Sequence, residues 1–285
     1  MTDLSVITVT YSSKPFIEDQ VMSVLTSSGS LNYEQWIVDN HSKDGTADWI
    51  EERLLPYVHL IKNGENRGFS FANNQAVSRS FGRYFLFLNP DMRICEGSLD
   101  QLVSWMDAHP EAGLMGCKLL NEAGELYGHG QPKPFPSFLK EFLWLLRLDF
   151  LYPQKQKFFD SEQEQEVDMV RGAFMLVRRE VVEALGWGFD PRYFILFEDT
   201  DLCREVKRLR YKVVYSPKMT CIDLNSRSFA LCSGKWIYKE FSKSMLQYFQ
   251  KWHPFYQGIL IALAIPIGLL LRTPQWGWRS FFKKS

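Results

Sequence analysis

Four short β-rich runs recur through the first 90 residues, and this alternation constrains the fold more than any other feature of the chain. Residues 4–10 (LSVITVT) form a near-continuous apolar run, and residues 34–39 (EQWIVD), 57–62 (YVHLIK) and 83–89 (RYFLFLN) repeat its character. Helical patterns fill the intervals near residues 15–26, 46–55 and 70–80, the second opened by the turn-and-cap run Ser42-Lys43-Asp44-Gly45-Thr46. Apolar strands separated by helices predict an α/β fold on a mostly parallel sheet. Residues 98–108 read as a further helix, ended before Pro110.

Beyond this point the pattern loosens. Residues 113–130 read as short strands with Gly turns, and Pro132-Lys133-Pro134-Phe135-Pro136 breaks the chain. An aromatic helix is expected over 138–152, a strand over 167–178, helices over 179–185 and 199–209, and a strand over 212–216. From Lys235 the tail reads as helical. The expected organisation is a catalytic domain over 1–230 and a C-terminal helical, basic, membrane-associating segment over 231–285.

Charge sharpens that division. The whole chain is neutral, which argues against a nucleic-acid partner, and its 46% hydrophobic and 23% charged composition excludes wholesale disorder. The first 240 residues nevertheless carry 27 basic and 33 acidic side chains, a net −6, whereas the last 45 carry six basic and no acidic ones. Within that tail, residues 252–271 lack any Lys, Arg, Asp or Glu and include GILIALAIPIGLLL. Such a run is long enough to span a bilayer, but Gly258, Pro266 and Gly268, with Trp252, Trp276 and Trp278 around it, equally fit an interfacial or re-entrant lie. A buried core helix is the third reading. The N-terminus has neither the basic nor the apolar region of a signal peptide, and the Asn40-His41-Ser42 sequon is read as chance. Five widely spaced cysteines without a CxxC pair suit a reducing cytosol better than a disulfide framework.

Open parallel sheets bind ligands beyond the carboxyl ends of their strands. Here those ends carry Thr10-Tyr11, Asp39-Asn40, Asn63 through Gly68, and Asn89-Pro90-Asp91. After the first strand TYSSKPF supplies no GxGxxG, and no GxxxxGK occurs, so a dinucleotide fold and a P-loop are both disfavoured. Gly68-Phe69-Ser70-Phe71-Ala72 misses the nucleophile-elbow pattern by its last Gly, and no strand leads into it. A diphosphate can still be held through a divalent cation on carboxylates, for which Asp91 is well placed and Asn89 offers a neutral oxygen, although Asn-Pro-Asp read alone is equally an ordinary turn. The second constellation is Glu198, Asp199 and Asp201, three acids in four positions after an aromatic run. Acids stabilise a helix N-terminus, and crowding them in a cleft raises at least one pKa, which suits a general base.

Taken in order, ITVTYSS, WIVDNHSKDGT, NGENRGFSFANNQAV, YFLFLNPDM and the run from VRGAFML to KVVYSP resemble family-two glycosyltransferases, and within them the rhamnosyltransferase-like branch. The resemblance covers residues 4–228. It implies a GT-A fold, a nucleotide-diphosphate sugar donor, Mg²⁺ or Mn²⁺, and an inverting reaction. Thr10 and Tyr11 would line the nucleotide pocket and Asp39 would read the base or ribose. Asn66, Arg67, Gly68 and Asn74 would lie along the ribose and donor sugar, and Gly172 and Ala173 would pack close to the donor. Asn89-Pro90-Asp91 stands where many relatives carry Asp-x-Asp, with Asp91 as the metal-binding carboxylate. In the Glu198-Asp199 pair, Asp199 would be the base.

One departure stands out. Relatives often place a His soon after the last sheet strand, and here Cys221-Ile222-Asp223-Leu224-Asn225-Ser226 puts Asp223 in its place. Either Asp223 serves the metal as a harder oxygen ligand, or a ligand is lost and the metal is held more weakly. With the apolar tail, the resemblance implies transfer of a hexose, L-rhamnose from dTDP-L-rhamnose being the expected donor. The expected acceptor is a lipid-linked or polysaccharide glycan of cell wall or O-antigen synthesis at the cytoplasmic face of the cell membrane. Two other classes compete. A nucleotidyltransferase would need a Gly- and Lys/Arg-rich loop after the first strand, which is missing. A catalytically weak nucleotide-sugar-binding partner would not need Asp91 and Asp199 intact.

Overall fold

The computed structural model describes residues 2–96, 98–152, 159–224 and 233–272. Strands β1 (Leu4–Thr10), β2 (Tyr33–Asp39), β3 (His59–Lys62) and β4 (Tyr84–Leu88) are all parallel, in the spatial order β3-β2-β1-β4. Helices α1 (Ile17–Ser27), α2 (Thr46–Arg53) and α3 (Phe69–Val77) connect them. The chain steps outward from β1 to β3 and then returns past β1 to lay down β4. Strand order therefore reverses between β1 and β4, the point at whose carboxyl ends open sheets of this kind place their ligand crevice.

The second half adds β5 (Met92–Glu96), α4 (Leu99–Ala108), β6 (Ala112–Leu120), α5 (Phe138–Leu145), β7 (Gln165–Glu166), β8 (Phe174–Arg178), α6 (Arg179–Leu185), α7 (Glu198–Arg208) and β9 (Lys212–Asp223). Two long helices follow, α8 (Gly234–Trp252) and α9 (Phe255–Arg272). The sheet continues β4-β8-β6-β9-β5, with β7 on β9. Strand β8 is antiparallel to β4 and β6, β5 and β7 are antiparallel to β9, and β6 and β9 are parallel.

Several boundaries differ from expectation. Instead of loose turns, Ala112–Leu120 is one nine-residue strand. Its glycines serve close approach: a Cβ on Gly113 would lie 2.6 Å from Tyr211 Cβ, and one on Gly116 2.6 Å from Val170 Cβ. Conversely, only Phe174–Arg178 of the expected 167–178 strand is regular, and the segment before it is spent on the crevice described below. Strand β9 runs past Ser216 because its register shifts around Pro217, where an irregularity tolerates the missing N–H. Helix α5 stops at Leu145, and Arg147 turns left-handed at φ 63°.

Alternation along each strand builds two cores. Val6, Leu86 and Leu176 face α4 through Leu102 and Met106. Ile7, Phe87 and Val177 face α3, α6 and α7 through Ala76, Val181 and Leu202. A satellite cluster holds α1 and α2 by Ile17, Val21 and Ile50 over Ile37. A further cluster joins α5, α8 and α9 to Tyr193 and Phe197, just before α7. Asn225, Ser226, Cys232 and residues 273–285, with Trp276 and Trp278, lie outside the described residues.

Candidate active site

Parallel register sets Thr10 beside Asp39 at the ends of β1 and β2, and the Thr10 hydroxyl donates to Asp39 Oδ1 at 3.0 Å. The other Asp39 oxygen accepts the Ser42 N–H at 3.0 Å. Both side chains are buried, whereas Tyr11 is exposed at the crevice rim. Asn40, expected only as a strand-end polar residue, organises the neighbouring loop. Its amide donates to Asn66 Oδ1 (2.9 Å) and Gly68 O (3.2 Å), and its oxygen accepts from Arg67 N (3.1 Å) and Asn63 (3.1 Å). Asn66 Oδ1 in turn accepts the Gly68 N–H. Gly68 has φ +87°, and a Cβ there would sit 2.6 Å from Phe194 O, so glycine is required where this loop meets the segment leading to Asp199. The Arg67 guanidinium lies 3.6 Å from the Phe71 ring centroid.

Asn74 is held elsewhere. Its Oδ1 accepts from Gly188 N and Phe189 N, and its amide donates to Phe189 O. The side chain thus fixes the 188–189 turn, and both of its ends are committed there.

Beyond β4 the Asn89-Pro90-Asp91 turn lies against residues 171–173, since Asn89 N–H donates to Ala173 O at 3.0 Å. Pairing of β5 with β9 sets Met92 opposite Asp223, and Leu224 N–H donates to Asp91 O at 3.0 Å. Asp91 and Asp223 are consequently neighbours, and both are buried. Burial first, then the charge of Asp223, pushes the Asp91 carboxyl up to about 6, against the pull of Arg171. The Arg171 guanidinium pairs with Asp223 Oδ2 at 2.8 Å and lies 4.9 Å from the Tyr127 ring. No chemical pattern in the sequence singled out this arginine; only its place beside Gly172 hinted at it.

The next residue makes the connection to α7. Gly172 N–H donates to Asp199 Oδ2 at 3.0 Å, and Asp199 Oδ1 accepts the Thr200 N–H at 2.6 Å. A Cβ on Gly172 would stand 3.1 Å from Asp199 Cβ, tighter than ordinary contact, so glycine keeps this carboxylate seated. Leu196 and Phe197 precede it at φ 70° and 67°, a left-handed pair of bulky residues that the surrounding packing must enforce. That packing comes from α8: Phe197 lies against Phe241 and Tyr248, and Ser244 donates to Ile195 O at 2.8 Å.

The three acids of the second constellation separate in space. Asp199 alone is partly exposed. Glu198 is buried with Oε2 unpartnered, and its carboxyl is pushed well above the usual carboxylate range by burial and then by the charge of Asp199. Asp201, expected as catalytic, is fully buried and turned to structure. It accepts from Tyr193 Oη, Trp252 Nε1 and Lys251 Nζ, the last at 2.7 Å. Lys251 also pairs with Asp190 (2.9 Å) and Glu205 (2.7 Å), tying α8 to α7.

Do these residues fit a divalent cation? Asp91 and Asp223 are two adjacent buried carboxylates; Arg171 already pairs with Asp223, but burial and the Asp223 charge still raise Asp91, and a cation beside Asp91 would relieve that, which is a fit. No group of three or more His, Cys, Asp or Glu gathers among the described residues, so further ligands would have to include phosphate oxygens and water.

The family model for glycosyl transferase family 2 matches residues 5–186. An N-acetylglucosaminyl-diphospho-decaprenol L-rhamnosyltransferase of Mycobacterium tuberculosis is 28% identical, covering 80% of this chain and 78% of that protein. Rhamnosyltransferase WbbL of Escherichia coli K12 is 28% identical, covering 77% and 85%. Among solved structures, the mannosyltransferase PcManGT of Pyrobaculum calidifontis, in complex with GDP-Man and Mn²⁺, superposes with TM-score 0.56 at 18% identity over 98% of this chain and 77% of that one. These likenesses agree with the expected GT-A fold, and in this chain α9 is the expected C-terminal apolar helix.

Proposed function

This chain belongs to glycosyl transferase family 2, and from that premise we propose that it moves a hexose, with dTDP-L-rhamnose the leading donor, onto a hydroxyl of a lipid-linked glycan with inversion at the anomeric carbon. The observation that carries the reading is the adjacency of Arg171 and Gly172. One is paired with Asp223 beside Asp91, and the other donates to Asp199. Leaving-group and acceptor chemistry thereby meet across consecutive residues.

In this mechanism Asp199 takes the acceptor proton as that oxygen bonds to the anomeric carbon. The bond from that carbon to the diphosphate breaks on the opposite face. Thr10, Asp39 and the Asn66–Gly68 loop hold the nucleotide and ribose. Asp91 and Asp223 would hold Mg²⁺ or Mn²⁺, which neutralises charge on the leaving diphosphate when bound. Arg171, close by, adds a fixed positive charge. The lipid acceptor is supported by the apolar α9 and by the name of the mycobacterial relative, which specifies a diphospho-decaprenol substrate.

A panel of nucleotide sugars offered with membrane extract and Mg²⁺ or Mn²⁺ tests this directly. One donor, expected to be dTDP-L-rhamnose, should be consumed into a lipid-extractable product of inverted anomeric configuration. Consumption of none, or a retained configuration, would sink the reading. Asp91→Asn should lower cation-dependent turnover by roughly 10²-fold or more and weaken Mn²⁺ binding measured calorimetrically with nucleoside diphosphate. Unchanged Mn²⁺ binding would remove Asp91 from that role.

A further inference from the structure

By length and composition α9 could cross a membrane, yet its attachments point to a different placement. Gly258, Ile261, Ala264, Gly268 and Arg272 are its buried residues, a stripe running its whole length. A Cβ on Gly268 would meet Leu145 O at 2.5 Å, so the helix is pressed onto α5. Its middle is fixed by Tyr238 Oη donating to Ile265 O at 2.8 Å. Its end is fixed by the buried Arg272, which donates to Leu145 O (2.9 Å) and Trp144 O (2.6 Å). A helix attached along its length to the α/β body has no free stretch with which to cross a bilayer.

The opposite face is apolar and exposed: Phe255, Ile259, Leu263, Ile267 and Leu271 all reach the surface, Leu263 by 62% and Phe255 by 79%. Beside α5, Phe150 and Leu151 are exposed as well. Charge identifies what covers this face. After Glu240 the chain carries six basic and no acidic residues; Lys251 and Arg272 are engaged inside the fold, which leaves Lys243 on α8 and Arg279, Lys283 and Lys284 in the sequence that follows α9. This combination of an apolar face with basic residues and no acidic ones fits an anionic bilayer surface.

We propose that α9 lies in the plane of an anionic membrane, its outer face in the headgroup–acyl boundary, and docks the catalytic crevice at that surface without crossing it. The placement deepens the lipid-linked acceptor reading. Its test uses neither donor nor acceptor, so a failure here leaves the transfer reaction standing.

The full-length protein is mixed with vesicles of phosphatidylcholine alone or of phosphatidylcholine and phosphatidylglycerol, and bound protein is separated by flotation. Wild type should float with the anionic vesicles, less at high salt. Leu263→Glu should bind about tenfold more weakly or worse, with unchanged circular dichroism and melting. In sealed vesicles, tags at the two chain ends should be digested by added protease together. Protection of one tag alone would mean that α9 crosses, and would overturn the proposal. So would wild type that fails to float, Leu263→Glu that floats as well as wild type, or a stable dimer that cannot bind vesicles, which would give the face to a second copy.

Discussion

Asp199→Asn is expected to lower kcat for transfer by roughly 10²- to 10⁴-fold, the range over which positioned general bases act, while donor binding stays nearly unchanged. The size follows from the local wiring. Asp199 Oδ1 is engaged by the Thr200 N–H and Oδ2 by the Gly172 N–H. An asparagine can satisfy only one of these donors with its oxygen, and its amide cannot accept a proton from the acceptor hydroxyl. Glu198→Gln is the internal control. Because burial and the Asp199 charge favour the protonated form of Glu198, a neutral amide is a close substitute, and turnover should fall far less. Single-turnover transfer with saturating donor, alongside nucleotide binding, makes the comparison. Near-normal turnover in Asp199→Asn would end its assignment as base, and an equal loss in Glu198→Gln would move the role to its neighbour.

Lys251→Met should destabilise the fold by about 3–5 kcal/mol, the cost of removing one partner from a buried ion cluster. The lysine is the cation shared by Asp190, Asp201 and Glu205, at 2.9, 2.7 and 2.7 Å. Without it Asp190 keeps Arg192 and Glu205 keeps Arg208, but the fully buried Asp201 keeps only the neutral donors Tyr193 and Trp252. For a chain of this size the melting temperature should fall on the order of 10 °C; a loss below about 1 kcal/mol would mean that water enters and screens the site. The pH dependence checks the cause. Burial alone would raise the Asp190 carboxyl, but Arg192 and Lys251 hold it down at about 2. A depressed carboxyl contributes its stability fully above the ordinary pKa of about 4 and loses it as the pH falls through the folded value. Wild type should therefore weaken between about pH 4 and pH 2, and Lys251→Met should show less of that slope. The same variant loosens α8, which backs Phe197, so turnover should drop at temperatures where the protein is still folded.

Much of the N-terminal half was legible in the sequence because its signals are local. Strand periodicity and turn chemistry fall within short windows, so Thr10, Asp39 and Asn89-Pro90-Asp91 could be assigned to strand ends before their partners were known. The reading weakened where glycine and proline carry more than one meaning. Gly113 and Gly116 looked like turn residues but permit close packing inside β6, and Pro217 looked like a strand end but marks an irregularity within β9. Among the acids, adjacency in sequence suggested one shared task for Glu198, Asp199 and Asp201. A helix turns about 100° per residue, so they diverge into a buried carboxyl, a partly exposed one and a structural ion cluster.

By itself the sequence determined the alternating α/β frame, the family to which the blocks belong, and a charge map with every late charge positive. Only the tertiary structure decided partnership. It chose Arg171 for Asp223, gave Asp201 to Lys251, and pressed the most apolar helix flat against the body through Arg272. The reason is physical. A strand or a turn is selected by forces among neighbours along the chain, whereas the partner of a buried charge is whichever distant residue packing brings within reach, and no short stretch of sequence encodes that choice.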